Sequence, residues 1–282
     1  LCWIRALRTC CLNSIRAVEP MAHVRDSIRA ASHENPLLSF RIDHDTEDGL
    51  HEQRKAFQFE PCNRMSQFNY LREKLRRLRD QSSADLNLRS HRAVTWLCRS
   101  DEVFDTDPDA AFIFAWISFN AAYARDLGND PGGPARSVFQ DFFTALVAAD
   151  PNGRIAHELW YQHEGLIARL LDNRFIFNPF WRFHNGDLSF VDWEERFDRA
   201  KEVAREAIER ENTPLVLSIV FDRLYVLRNQ LIHGGATRGS RVNRNQVKDG
   251  TEILHCLMPI FIDTMVSATD LDWGAAHYPV IE

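Results

Sequence analysis

Arg228, Asn229 and His233 are the residues of this chain whose types and spacing could do chemistry. A guanidinium offers a planar fork of donors that fits a phosphate. An imidazole exchanges protons near neutral pH, and a carboxamide can orient the imidazole or bind a substrate. Asn229 and His233 are four residues apart and share one face of a helix. Arg228 and His233 are five apart, about 140° of rotation on a regular helix, so a single copy does not put both on one face. Two such helices meeting across a symmetric dimer would bring both types into one cleft. One His could then take the proton from a ribose 2′-hydroxyl while another group protonates the leaving 5′-oxygen, and Arg228 would stabilise charge on the phosphoryl oxygens. The products would be a 2′,3′-cyclic phosphate and a 5′-hydroxyl, with DNA a poor substrate. No acidic metal ligand accompanies the group, so metal-free chemistry is the simpler mechanism, and no cofactor or metal is expected.

Further cations surround the motif. Arg223, Arg238, Arg241, Arg244 and Lys248 form a candidate substrate-binding set, with Asp222 and Asp249 at its ends. Arg72, Lys74, Arg76, Arg77 and Arg79 make a second basic run. The competing reading of both runs is a solvated surface. Asn120, among Phe119, Ala121 and Tyr123, either makes a structural hydrogen bond, as buried amides do, or lines the cleft. His157 and His163, with Glu158 and Glu164 beside them, are spaced so that the two His do not share a helical face, and a metal site is not expected there. Asp43-His44-Asp45 reads as a charged surface segment.

The elements that must position these residues read as helices. Pro214–Leu227 is apolar and should end at a glycine, here Gly234, because glycine reaches the left-handed cap conformation without penalty. Phe68, Leu71, Leu75 and Leu78 recur at helical spacing, and a break near Ser82-Ser83 precedes a second helical piece around Asn87–Cys98. Asp107-Pro108-Asp109 is a helix start, opening a helix to Asp126 that Gly128–Pro134 terminates. Further helices are expected over Arg136–Ala149, Ile155–Leu171, Val191–Glu211 and Asn243–Val266, with an irregular aromatic cover over Phe175–Phe190 that could alternatively shape a base-stacking surface. No strand–turn rhythm, internal repeat or Gly-rich phosphate loop is present. The fold class is therefore all-α: an antiparallel helical bundle with additional peripheral helices. Residues 1–66 read as an extension or partly ordered leader, 67–266 as the helical domain and 267–282 as a C-terminal tail. Leu1–Pro20 reads either as an upstream extension of a chain starting at Met21 or as a short amphipathic helix.

Bulk properties agree with a globular protein. The 282 residues can bury a large core, and the net charge of −6 argues against broad coating of nucleic acid while leaving room for a local basic patch. The six cysteines have no Cys-x-x-Cys spacing, so reduced thiols in a cytoplasmic protein are expected. No segment reaches the roughly 18 apolar residues of a membrane span.

Arg228-Asn229-(x)3-His233 resembles the Arg-x(4–6)-His motif of the HEPN superfamily. His233-Gly-Gly-Ala-Thr237 with Ser240–Val247, and Phe114–Tyr123, look like an uncharacterised or Apea-like branch of it. The resemblance covers roughly residues 67–266. It implies a helical bundle that dimerises around the motif and, in many members, metal-independent endoribonuclease activity in toxin, defence or RNA-processing systems. Arg228 and His233 would be the catalytic pair and Asn229 their support. It also implies RNA as a partner and an antitoxin or regulatory protein as another. Two alternatives remain open: a non-catalytic helical module for dimerisation or RNA/protein binding, and an unrelated small-molecule enzyme.

Overall fold

The computed structural model describes residues 64–124, 135–241 and 244–280. The expected leader up to residue 63, Asp43-His44-Asp45 and the Gly128–Pro134 loop lie outside them. Residues Arg64–Glu282 form one compact unit. Its helices are α1 (Arg64–Leu78), α2 (Ala84–Glu102), α3 (Pro108–Tyr123), α4 (Ala135–Ala148), α5 (Arg154–His157), α6 (Glu164–Leu171), α7 (Asn178–His184), α8 (Trp193–Glu209), α9 (Thr213–Ile232) and α10 (Arg244–Ser267). The described residues contain no strand, and none of their helices is long and apolar enough to cross a membrane.

Helix boundaries follow local chemistry. The Ser83 hydroxyl accepts from Leu86 N–H, Asp107 from Ala110 N–H and Asn212 from Leu215 N–H, each satisfying a donor that a helix start leaves unpaired. Pro108 and Pro214 sit in the first turns of α3 and α9, where the missing N–H costs nothing. α9 ends in a Schellman cap: Gly234 has φ 68°, its N–H donates to Leu231 O, and Gly235 N–H donates to Gln230 O at 2.7 Å.

α2 and α3 run antiparallel. Ser118 Oγ donates to Ala93 O and Ser100 Oγ to Ala111 O, so the contacts step in opposite directions along the two helices. α3 also packs along α10, while α4 and α8 lie on α9. Phe119, Phe143 and Phe221 meet at the centre, with Phe119 and Phe221 ring centres 4.3 Å apart and Phe143 and Phe221 4.9 Å apart. All three rings are fully buried, and aromatic area of this kind dominates the energy of a core.

Two expectations change. The Phe175–Phe190 stretch is not irregular: it contains a 3-10 turn, α7 and a second 3-10 turn. Phe180, Trp193 and Phe197 form a small apolar core of their own. The span Ile155–Leu171 is not one helix, because a π turn over Glu158–Gln162 separates α5 from α6. Residues 268–280 lack regular structure, as expected of the C-terminal tail, and are tied to the bundle. Trp273 is buried, and Arg89, itself buried on α2, donates to Trp273 O, Gly274 O and Ala122 O.

Candidate functional site

The last two turns of α9 emerge from the core as they run toward Gly234. Leu224 and Leu227 are fully buried, Arg228 and Asn229 are half-buried, and His233 is exposed. The sequence dictates this change: after Leu227 the apolar run gives way to Arg-Asn-Gln, so the helix end faces solvent. Arg228 Nη1 donates to Asn229 Oδ1 at 2.9 Å. Among the described residues Arg228 has no carboxylate partner, and the His233 imidazole makes no side-chain hydrogen bond. α9 is a regular α-helix through Ile232, so Arg228 and His233 keep their separation of about 140°.

Two tyrosines, not singled out from sequence as site residues, lie by Arg228. Burial pushes the Tyr123 phenol up to about 12, the nearby Tyr225 adds to the rise, and the Arg228 guanidinium opposes it. Tyr225 is three residues before Arg228, the spacing that shares a helix face, and this was the available signal. Tyr123 ends α3, so only tertiary packing brings it here. Asn120, one turn earlier on α3, is half-buried, and its carboxamide has no hydrogen-bond partner among the described residues.

The candidate substrate-binding cations divide. Arg223 is buried at 4% exposure and lies over the Phe177 and Phe197 rings at 4.5 and 5.4 Å, which removes it from any substrate surface. Arg238 and Arg244 are held by acids at the start of α3. Arg238 Nη2 donates to Asp107 at 2.8 Å, and Arg244 reaches both Asp109 oxygens at 3.0 and 3.1 Å. Hydrogen bonding from Arg238, joined by the Ala110 N–H, holds the Asp107 carboxyl below its usual range. These two arginines fasten the α9–α10 loop to α3, a contact that sequence proximity to His233 did not reveal. Arg241 and Lys248 are exposed and carry no ion pair among the described residues. In the second basic run, Lys74 is bound to Asp263 at 2.5 Å.

A second constellation is sealed. His255 Nε2 lies 2.6 Å from Ser100 Oγ, and Asp101 lies 3.8 Å from its Nδ1, the order of a nucleophilic triad. Ser100 is fully buried and donates its only proton to Ala111 O at 2.6 Å. Nε2 must then be the donor to Oγ and cannot act as its base. The group fastens α2 to α3 and α10.

A groove of about 720 Å³ is lined by Arg169, Asn173, Arg174, Phe175 and Gln246 among others. Phe175 borders the motif helix, since its carbonyl accepts from Gln230 Nε2 at 2.5 Å. Asp172 and Asp249 also line the groove, and Asp249 is paired with Arg169.

Comparison with protein-family models, with curated proteins and with solved structures finds no match to this chain.

Proposed function

We propose that this protein is a metal-independent endoribonuclease of HEPN type, acting as a homodimer whose two α9 ends form one cleft. The observation that carries the reading is the state of Arg228. Arg223, Arg238 and Arg244 are committed to rings or carboxylates, whereas Arg228 has a neutral partner, Asn229, at a solvent-facing helix end that also presents His233. An unneutralised guanidinium beside an accessible imidazole suits a phosphodiester.

In the reaction, His233 accepts the 2′-hydroxyl proton and the 2′-oxygen attacks phosphorus. The P–O5′ bond breaks, and the partner subunit's His233 donates a proton to the departing oxygen. Arg228 stabilises the charge that builds on the non-bridging oxygens. Asn229 fixes the guanidinium through the 2.9 Å hydrogen bond. The 140° offset on one helix is the reason two copies are needed: each cleft edge would take Arg228 from one copy and His233 from the other. Arg241 and Lys248 remain exposed to meet the backbone, and the exposed edge of Phe175 offers a base a stacking face.

The second reading, a non-catalytic helical interaction module, is favoured by the net charge of −6 and by the ion pairs that consume Arg238 and Arg244. One assay separates the two. Purified protein is incubated with mixed RNA and with an RNA oligonucleotide carrying 2′-deoxyribose at the cleaved position. Cleavage leaving 2′,3′-cyclic phosphate ends, blocked by the 2′-deoxy sugar and reduced roughly 10²–10⁴-fold in both Arg228→Ala and His233→Ala, supports the ribonuclease. Cleavage unchanged in both variants sinks it.

A further inference from the structure

Glu158 and His163 are five residues apart, the same spacing as Arg228 and His233, with the opposite outcome. On a regular α-helix their side chains would diverge by about 140°. Here the chain makes a π turn over Glu158–Gln162, closed by His163 N–H donating to Glu158 O at 3.2 Å. The wider turn brings the side chains together, and His163 Nε2 lies 3.0 Å from Glu158 Oε1. A third donor comes from α10: the Cys256 sulfur, a Glu158 oxygen and a His163 ring nitrogen all lie within 4.8 Å of one another. Packing of α5 and α6 on α10 sets this meeting.

The donor set selects the ion. Imidazole nitrogen, thiolate sulfur and one carboxylate oxygen are the ligands of zinc, whereas calcium and magnesium take oxygen ligands. Zinc bonds of roughly 2.0–2.3 Å place tetrahedral ligands roughly 3.3–3.7 Å apart. The Glu158–His163 pair is already near that separation, and the Cys256 sulfur, within 4.8 Å of both, needs at most about 1–1.5 Å of movement to reach it. All three residues are half-buried, sheltered from bulk water but reachable by an ion. π turns inside helices concentrate at functional positions, which independently marks this segment.

The geometry points to a zinc-class divalent cation site formed by Glu158, His163 and Cys256, with a fourth position open to water or an exogenous ligand. Binding converts the Cys256 thiol to a metal thiolate and releases its proton to solvent, and the metal replaces the direct His163–Glu158 contact. It would tie the π turn to α10. The site stands on its own observations and shares no residue with the proposed ribonuclease cleft.

The test is a titration of the full, chelator-treated chain with Co²⁺, read by visible and near-ultraviolet absorbance. One equivalent should produce the ligand-field bands of a four-coordinate ion and a thiolate-to-cobalt charge-transfer band, both removed by Zn²⁺. Cys256→Ser should abolish the charge-transfer band. Glu158→Gln and His163→Gln should weaken binding by roughly tenfold or more, with circular dichroism confirming that each variant is helical. No charge-transfer band in the wild-type chain, or a band that survives Cys256→Ser, overturns the assignment. The paired Gln variants keep the result decisive should the serine variant misfold.

Discussion

Replacing Gly250 with alanine should destabilise the protein, although helix propensity alone predicts the reverse. Gly250 lies inside α10, and Gly→Ala in a helix interior gains about 0.8–1.0 kcal/mol. The added methyl has nowhere to go. It would sit 3.0 Å from Leu224 Cδ2, 3.0 Å from Phe112 Cε2 and 3.3 Å from Leu227 Cδ2, well inside the roughly 3.5–4.0 Å optimum for carbon pairs. All three neighbours are fully buried and cannot swing into solvent. Overpacking of this kind costs about 1–3 kcal/mol, so the net loss should be about 1 kcal/mol. Urea unfolding should show a lower midpoint with an unchanged slope, and the melting temperature should fall by about 2–4 °C per kcal/mol for a unit of this size. Gly250→Val, bulkier and β-branched, should lose several times more. An alanine variant more stable than wild type by the propensity gain would refute the tight packing of α3, α9 and α10. The position also bears on the cleft: Leu224 and Leu227 lead directly into Arg228, so relief by displacing α9 would shift the guanidinium.

Two further outcomes rest on charge. Burial pushes the Asp263 carboxyl up, but hydrogen bonds from Lys74 at 2.5 Å and Arg154 at 2.6 Å outweigh it and leave the group below its ordinary value. A lowered folded pKa gives stability that is present above the unfolded carboxylate range and lost as pH falls through the folded value. Asp263→Asn should therefore cost about 2–4 kcal/mol at neutral pH, a figure discounted because Arg154 is partly exposed, and the difference from wild type should shrink in acid; equal gaps at both pH values in urea titrations would contradict this. Tyr123 behaves in the opposite sense. Its folded pKa is raised from 10.0 to about 12, so its contribution is complete below pH 10 and disappears as pH rises toward 12. Tyr123→Phe should remove that alkaline loss, and Arg228→Ala should push the phenol higher still, both visible in phenolate absorbance; a Tyr123 that titrates normally would contradict its burial, and a titration unchanged by Arg228→Ala would place Arg228 elsewhere.

Much of the fold was legible in local chemistry. Ser83, Asp107, Asn212 and Gly234 mark helix ends because a capping side chain or a left-handed glycine acts within a few residues of itself. The apolar run of α9 and its polar end were equally readable, since burial along one helix is written in residue type. The fates of the arginines were not. Arg238 and Arg244 meet Asp107 and Asp109 more than a hundred residues away, and Arg223 meets the rings of Phe177, which caps α7, and Phe197 on α8, so their charges are spent by partners that sequence proximity cannot name.

The two five-residue pairs mark the boundary most sharply. Arg228 and His233 stay apart because α9 remains a regular helix, as its unbroken apolar pattern dictates. Glu158 and His163 come together because the backbone departs from that helix, with α5 and α6 packed against α10 on either side of the π turn. Sequence determines a side chain's angle once the helix type is given. Tertiary packing decides the helix type itself, because a π turn is rare in isolation and is held by the contacts made beyond it.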